Sequence, residues 1–144
     1  MSAASDYLEG KLLDHTLRYG SAPYTGATTL YLALFKSTVD ATTTANNLEA
    51  GTTSTDEVGT SGTAYARKAV TFAAASSGSS ASSATVTFDT ATASWGSITH
   101  IAVMDGATAG AGNVLFYGAV TTAKTIDTGD TFQVSSGNLT IALA

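Results

Sequence analysis

Residues 28–35 read Thr-Thr-Leu-Tyr-Leu-Ala-Leu-Phe. Leu30, Leu32 and Leu34 fall on one side of an extended chain, and Tyr31, Ala33 and Phe35 on the other. Side chains that alternate with a period of two belong to a β-strand. Because both sets are apolar, the strand needs cover on both faces, which predicts an internal position in a sheet.

Working outward from this strand, similar signals recur between breaks of small residues. Ala64–Phe72 sets Tyr65, Arg67, Ala69 and Thr71 against Ala66, Lys68, Val70 and Phe72. The Ser/Ala/Gly-rich run 73–83 reads as a hairpin loop between strands. Further strands are predicted at 84–88, with Val86 and Phe88, and at 97–105, where Ile98, His100, Ala102 and Met104 share a face. At 113–120, Val114, Phe116 and Val120 oppose Leu115 and Tyr117. The turn Asp127-Thr-Gly-Asp130 precedes strands at 131–134 and 139–143. Short strands at this spacing read as an all-β fold, a single β-sandwich or jelly-roll-like domain over residues 1–144.

One segment departs from the pattern toward helix. Residues 5–18 carry Ser5 or Asp6 as an N-cap, acidic Asp6 and Glu9 in the first turn, and a stripe of Leu8, Leu12, Leu13 and Thr16/Leu17. Arg18 and Gly20 supply the stop signal. This short N-terminal helix either packs on its own domain or acts as an arm on a neighbour. Residues 37–63 form a long polar excursion without periodicity; a loop of that length usually means function or mobility, so it is either a site of partner contacts or a solvated excursion with no role. The main body is therefore 64–144 together with 28–35.

Composition excludes several function classes. The chain of 144 residues carries 6 Lys+Arg against 11 Asp+Glu, a formal net charge of −5. With no basic cluster there is no electrostatic footprint for nucleic acid or for an anionic membrane. The absence of cysteine removes disulfides and thiolate metal sites. Met1–Asp6 lacks the charged and apolar regions of a secretory signal, and no apolar run reaches the roughly 20 residues of a spanning helix.

Catalytic chemistry finds little support. His15 follows Asp14 on the helix, where neighbours point about 100° apart, so that carboxylate is badly placed to orient the ring. His100 reads as a core or boundary histidine, and two histidines in separate elements make a zinc site improbable. Asp127-Thr-Gly-Asp130 resembles one half of an aspartic-protease site, but the second copy is missing and turn chemistry explains it. Calcium at Asp127 and Asp130 lacks enough oxygen ligands. The expectation is no enzyme, no catalytic residue, no metal and no cofactor. Trp95-Gly96 reads as a plug at one end of the sandwich, with a sugar-stacking platform as the alternative.

Taken together, Asp6-Tyr-Leu-Glu-Gly-Lys-Leu-Leu-Asp-His15, Leu30–Phe35, Ala64–Phe72, Phe88-Asp-Thr-Ala-Thr-Ala-Ser-Trp-Gly96, Leu115-Phe-Tyr-Gly-Ala119 and Thr128-Gly-Asp-Thr-Phe132 resemble a phage structural family labelled tail-fibre-like. These blocks occur in one order over nearly the whole chain. The resemblance implies a virion structural protein made in the bacterial host cytoplasm. The leading expectation is a capsid decoration (cement) protein on the capsid surface. Its partners would be the major capsid protein and copies of itself as a homotrimer. The alternative is a tail-fibre or receptor-binding component recognising host carbohydrate. Expected outward contacts are Tyr7, Leu8 and Lys11 on the helix, and Asp40, Asn46, Asn47, Leu48, Glu49, Asp56 and Glu57 in the excursion.

Overall fold

A computed structural model describes residues 3–18, 23–36 and 57–143. In chain order these hold β1 (Ala3–Ala4), α1 (Asp6–Leu17), β2 (Leu30–Phe35), β3 (Lys68–Val70), β4 (Ser79–Ala81), β5 (Val86–Thr87), β6 (Gly96–Met104), β7 (Val114–Ile126), β8 (Gln133–Val134) and β9 (Thr140–Ala142). Five strands make one antiparallel sheet in the order β1-β7-β6-β2-β3. Two short antiparallel ribbons, β4–β9 and β5–β8, accompany it. The fold is all-β with one short helix, as the alternating segments predict.

β2 lies inside the sheet between β3 and β6, and its two apolar faces go to two different cores. Leu32 and Leu34 join the larger core with Val70, Ile98, Val103 and Ile126 from the sheet and Phe88, Phe132 and Leu139 from outside it. Ala33 and Phe35 join a smaller core with Ala102, Met104 and Val114, flanked by Tyr31 and Tyr117. Leu32, Ala33, Leu34 and Phe35 are all wholly buried.

The larger core is centred on aromatic rings. Tyr65 stacks on Phe88 at 6.0 Å, while Trp95 meets Tyr65 edge-on at 5.5 Å and Phe88 at 6.2 Å. Phe132 closes the cluster edge-on to Phe88 at 5.9 Å. Edge-to-face and stacked arrangements place each ring's positive rim or offset face against its neighbour, adding to simple burial. In a chain so rich in Ala, Thr, Ser and Gly these rings provide much of the large apolar surface.

The structure corrects the sequence reading at several points, each for a local reason. Strict alternation puts Ile98 beside Met104 and Val114 beside Phe116, but each pair divides between the two cores. Two irregularities in the β6–β7 ladder account for this. Val103 and Met104 pair with Phe116 and Val114, so β7 carries one additional residue, Leu115. Ile98 and His100 pair with Lys124 and Ala119, so two steps along β6 (100 − 98) face five along β7 (124 − 119). An inserted residue changes which face the following side chains occupy.

The predicted strand 64–72 shortens to β3, and the predicted strand 113–120 lengthens into β7. Around the hairpin expected in 73–83, Ser77 and Gly78 adopt φ of 51° and 74°, and Ser76 and Ser79 exchange backbone hydrogen bonds. Two consecutive positive φ angles suit the tight turn that matches strand twist. The sequence reading missed β4, which lies just beyond this turn and pairs with β9.

Phe88→Ala is expected to lower unfolding stability by about 3–5 kcal/mol, because it empties the centre of the ring cluster. Urea denaturation followed by circular dichroism measures the loss; a change below about 1 kcal/mol would contradict this packing.

Candidate functional site

Ser5 anchors the N-terminal helix to the sheet. Wholly buried, it accepts a hydrogen bond from the Leu8 backbone N–H at 3.2 Å and donates its hydroxyl to the Val114 carbonyl. Its own N–H donates to the Leu115 carbonyl at 3.0 Å. Ser5 therefore caps the helix and ties its start to β7, whose next residues, Phe116 and Tyr117, pair with β1.

Beyond this anchor the helix departs from the predicted apolar stripe. Leu8 is buried, whereas Leu13 and Leu17 are 58% and 75% exposed. These two leucines stand four residues apart and so present one apolar strip to the outside. Asp14 and Arg18 form an exposed i, i+4 pair at 3.2 Å, and the Tyr24 N–H donates to His15 Nδ1 at 3.2 Å.

The expected contact residues divide three ways. Tyr7 is half-buried and Lys11 exposed, with the Lys11 ammonium 5.7 Å from the centre of the Tyr7 ring. Leu8 and Glu57, expected to face outward, point into the protein. Leu8 is drawn in by the anchored first turn, and Glu57 by a cation. Asp40, Asn46, Asn47, Leu48, Glu49 and Asp56 lie outside the described residues.

Glu57 organises a buried polar knot. Arg67 Nε and Nη2 each donate to one Glu57 oxygen at 2.8 Å, a two-pronged pair with almost no solvent exposure. The Tyr65 hydroxyl donates to Glu57 Oε1 at 3.0 Å and accepts the Leu34 N–H at 3.0 Å. Gly110 N–H donates to Glu57 Oε2 at 2.8 Å, and Arg67 Nη1 donates to the carbonyls of Gly106 and Ala111 at 2.9 and 2.8 Å. Burial, followed by the adjacent carboxylate, holds the Tyr65 phenol far above its ordinary value of 10.0. With two hydrogen bonds to each Glu57 oxygen and four from Arg67, the knot has the features of a structural tie.

Other candidate groups are structural as well. Trp95 is buried and donates from Nε1 to the Thr63 carbonyl at 2.8 Å, so it forms no exposed sugar platform. His100 is half-buried, and burial lowers its pKa from 6.5. Asp130 Oδ2 accepts the Asp127 N–H at 3.0 Å, and Ser94 donates to Asp127 Oδ1 at 3.1 Å, as in a closed turn. Among the described residues no group of His, Asp and Glu is arranged to hold a metal ion.

A family model described as "Podophage GP4 fiber I protein gp80" matches residues 3–142. The chain belongs to this family. It is thus a phage virion structural protein of a fibre family rather than a member of an enzyme family. Among curated proteins, none matches the chain.

Two surface features of this fibre-family protein take their form only in the structure. The apolar stripe of α1 leaves open whether it faces its own domain or a neighbour; the structure buries Leu8 and exposes Leu13 and Leu17. The second is an open groove of about 380 Å³ between β6–β7 and residues 132–141, bordered by Ile101, Phe116, Val120, Val134 and Ile141. No motif marks it, because its walls come from distant parts of the chain.

Arg67→Met should destabilise the protein by about 3–5 kcal/mol, since it leaves the Glu57 carboxylate buried and unpaired. The double variant E57Q/R67M should lose less than the single one in guanidinium denaturation; equal losses would refute a coupled pair. A second expectation concerns alkaline pH. Tyr65 has a raised folded-state pKa, so its share of stability is intact below pH 10 and declines as pH rises further. Denaturation midpoints above pH 10 should therefore fall more steeply for the native chain than for Tyr65→Phe.

Proposed function

We propose that this protein is a subunit of a phage fibre, attached to a neighbouring virion protein through the exposed face of α1. The family match over residues 3–142 carries the reading, since the family's description is that of a fibre protein. This preference replaces the capsid decoration role that is the leading expectation from sequence. The exposed pair Leu13 and Leu17 supports it further, because two exposed leucines one turn apart are suited to seat in an apolar groove.

In this role the protein acts by surface fit. The buried knot and ring cluster keep the body rigid, and the helix presents a preset apolar strip, which limits the ordering cost of attachment. The strip is small, so stable attachment requires further contacts on either side of it to approach the roughly 1,600 Å² of a standard interface. Tyr7 and Lys11 are positioned to contribute.

The test is location. Gold-labelled antibody against the protein should decorate the tail region of intact particles and leave the shell lattice bare. Label distributed over the shell would overturn the fibre reading in favour of decoration. In particles assembled with the variant L13E/L17E, occupancy should drop at least tenfold while the purified variant keeps its native melting curve. Unchanged occupancy would exclude α1 as the attachment face.

A further inference from the structure

The five-stranded sheet departs most widely from a regular ladder where β7 passes the 380 Å³ groove. Between the pairs Ile98–Lys124 and His100–Ala119, residues 120–123 of β7 have no partner on β6. Val120, Thr121 and Thr122 from this segment form part of the groove wall. An irregularity of this kind bends its strand and re-aims the side chains it carries, and such features concentrate next to active sites. The apolar part of the lining is Ile101, Phe116, Val134 and Ile141, which pack on the larger core but stay partly uncovered. The polar part is hydroxyl and amide: Thr121, Thr122, Gln133, Ser135, Asn138 and Thr140, all exposed. Gln133 Nε2 donates to Thr87 Oγ1 at 2.9 Å, which orients the amide and leaves its oxygen to accept. Among the described residues, no charged side chain lines the groove.

We infer that this groove binds a short neutral saccharide, with a C–H face of one sugar ring on Phe116 and its hydroxyls on the exposed amide and hydroxyl side chains. Three features select that ligand class. A phosphate, carboxylate or ammonium group would find no opposite charge in the lining. An extended peptide needs an unbroken row of backbone partners, and the irregularity at 120–123 interrupts that row on the groove wall. A wholly apolar ligand would strip water from the hydroxyl and amide groups without replacing their hydrogen bonds. A sugar ring carries an apolar face and a polar edge together, and so matches both parts of the lining. The volume lies at the lower end of small-molecule sites, which span about 300–1,000 Å³, so the site holds a mono- or disaccharide unit. The inference deepens the fibre reading, on which it rests only for where such a sugar is met.

The test is a titration of purified, isotope-labelled full-length protein, with backbone amide shifts as the readout. The probes are the methyl glycosides of glucose, galactose, mannose and N-acetylglucosamine at millimolar concentrations. At least one of them should move amides within 116–122 and 133–141 in a saturable way. Asn138→Ala and Gln133→Ala should each weaken that binding at least fivefold with an unchanged melting curve. No saturable shift with any of the glycosides overturns the inference, as do shifts confined to other parts of the surface. A short Val/Thr peptide that moves the groove amides when no sugar does would make the groove a strand site and equally overturn it. Because binding is read on the purified protein, failure here leaves the fibre reading standing. Antibody label over the shell would sink that reading and leave the saccharide site untouched.

Discussion

The Glu57–Arg67 pair joins parts of the chain that otherwise have little reason to meet. Glu57 is paired to the end of β2, Arg67 sits just before β3, and the guanidinium also grips both ends of the 106–111 turn between β6 and β7. Tyr65 links the same carboxylate to the β2 backbone and, through its ring, to Phe88 and Trp95. Polar tie and aromatic core are thus coupled through one side chain. Burying a charge pair is seldom favourable on area alone; its value lies in requiring one arrangement, since any other leaves a carboxylate or guanidinium without a partner. A core short of large side chains has particular use for such a requirement.

From that tie outward, the molecule divides into a rigid part and a presenting part. The sheet and the ring cluster are held by buried contacts on both faces of β2. The helix depends chiefly on Ser5 and Leu8 at its beginning, and among the described residues no strand pairs with the outer side of the far half of β7.

The sequence was most legible where a single period acted without interruption. Residues 30–35 alternate cleanly, and their two faces lie in the two cores as the pattern requires. The Ser5 cap, too, is visible as a local residue choice. Legibility ended where distant partners decide. Nothing local to Glu57 says that Arg67 will enclose it, so an acidic residue in a polar stretch reads as exposed. Nothing within 113–120 marks Leu115 as an additional residue, yet that residue divides Val114 from Phe116. The groove beside β7 is further from view still, because it exists only after 101–103, 116–122 and 132–141 have come together.

Trp95, the one tryptophan in the chain, stands edge-on to Tyr65 and Phe88 in the interior. Its indole emission is consequently tuned to a dry, ring-lined setting and will redden only when the body itself opens. Docking of the helix on a neighbour would leave that colour as it was. The molecule thus carries an optical gauge that reads integrity of the fold separately from assembly.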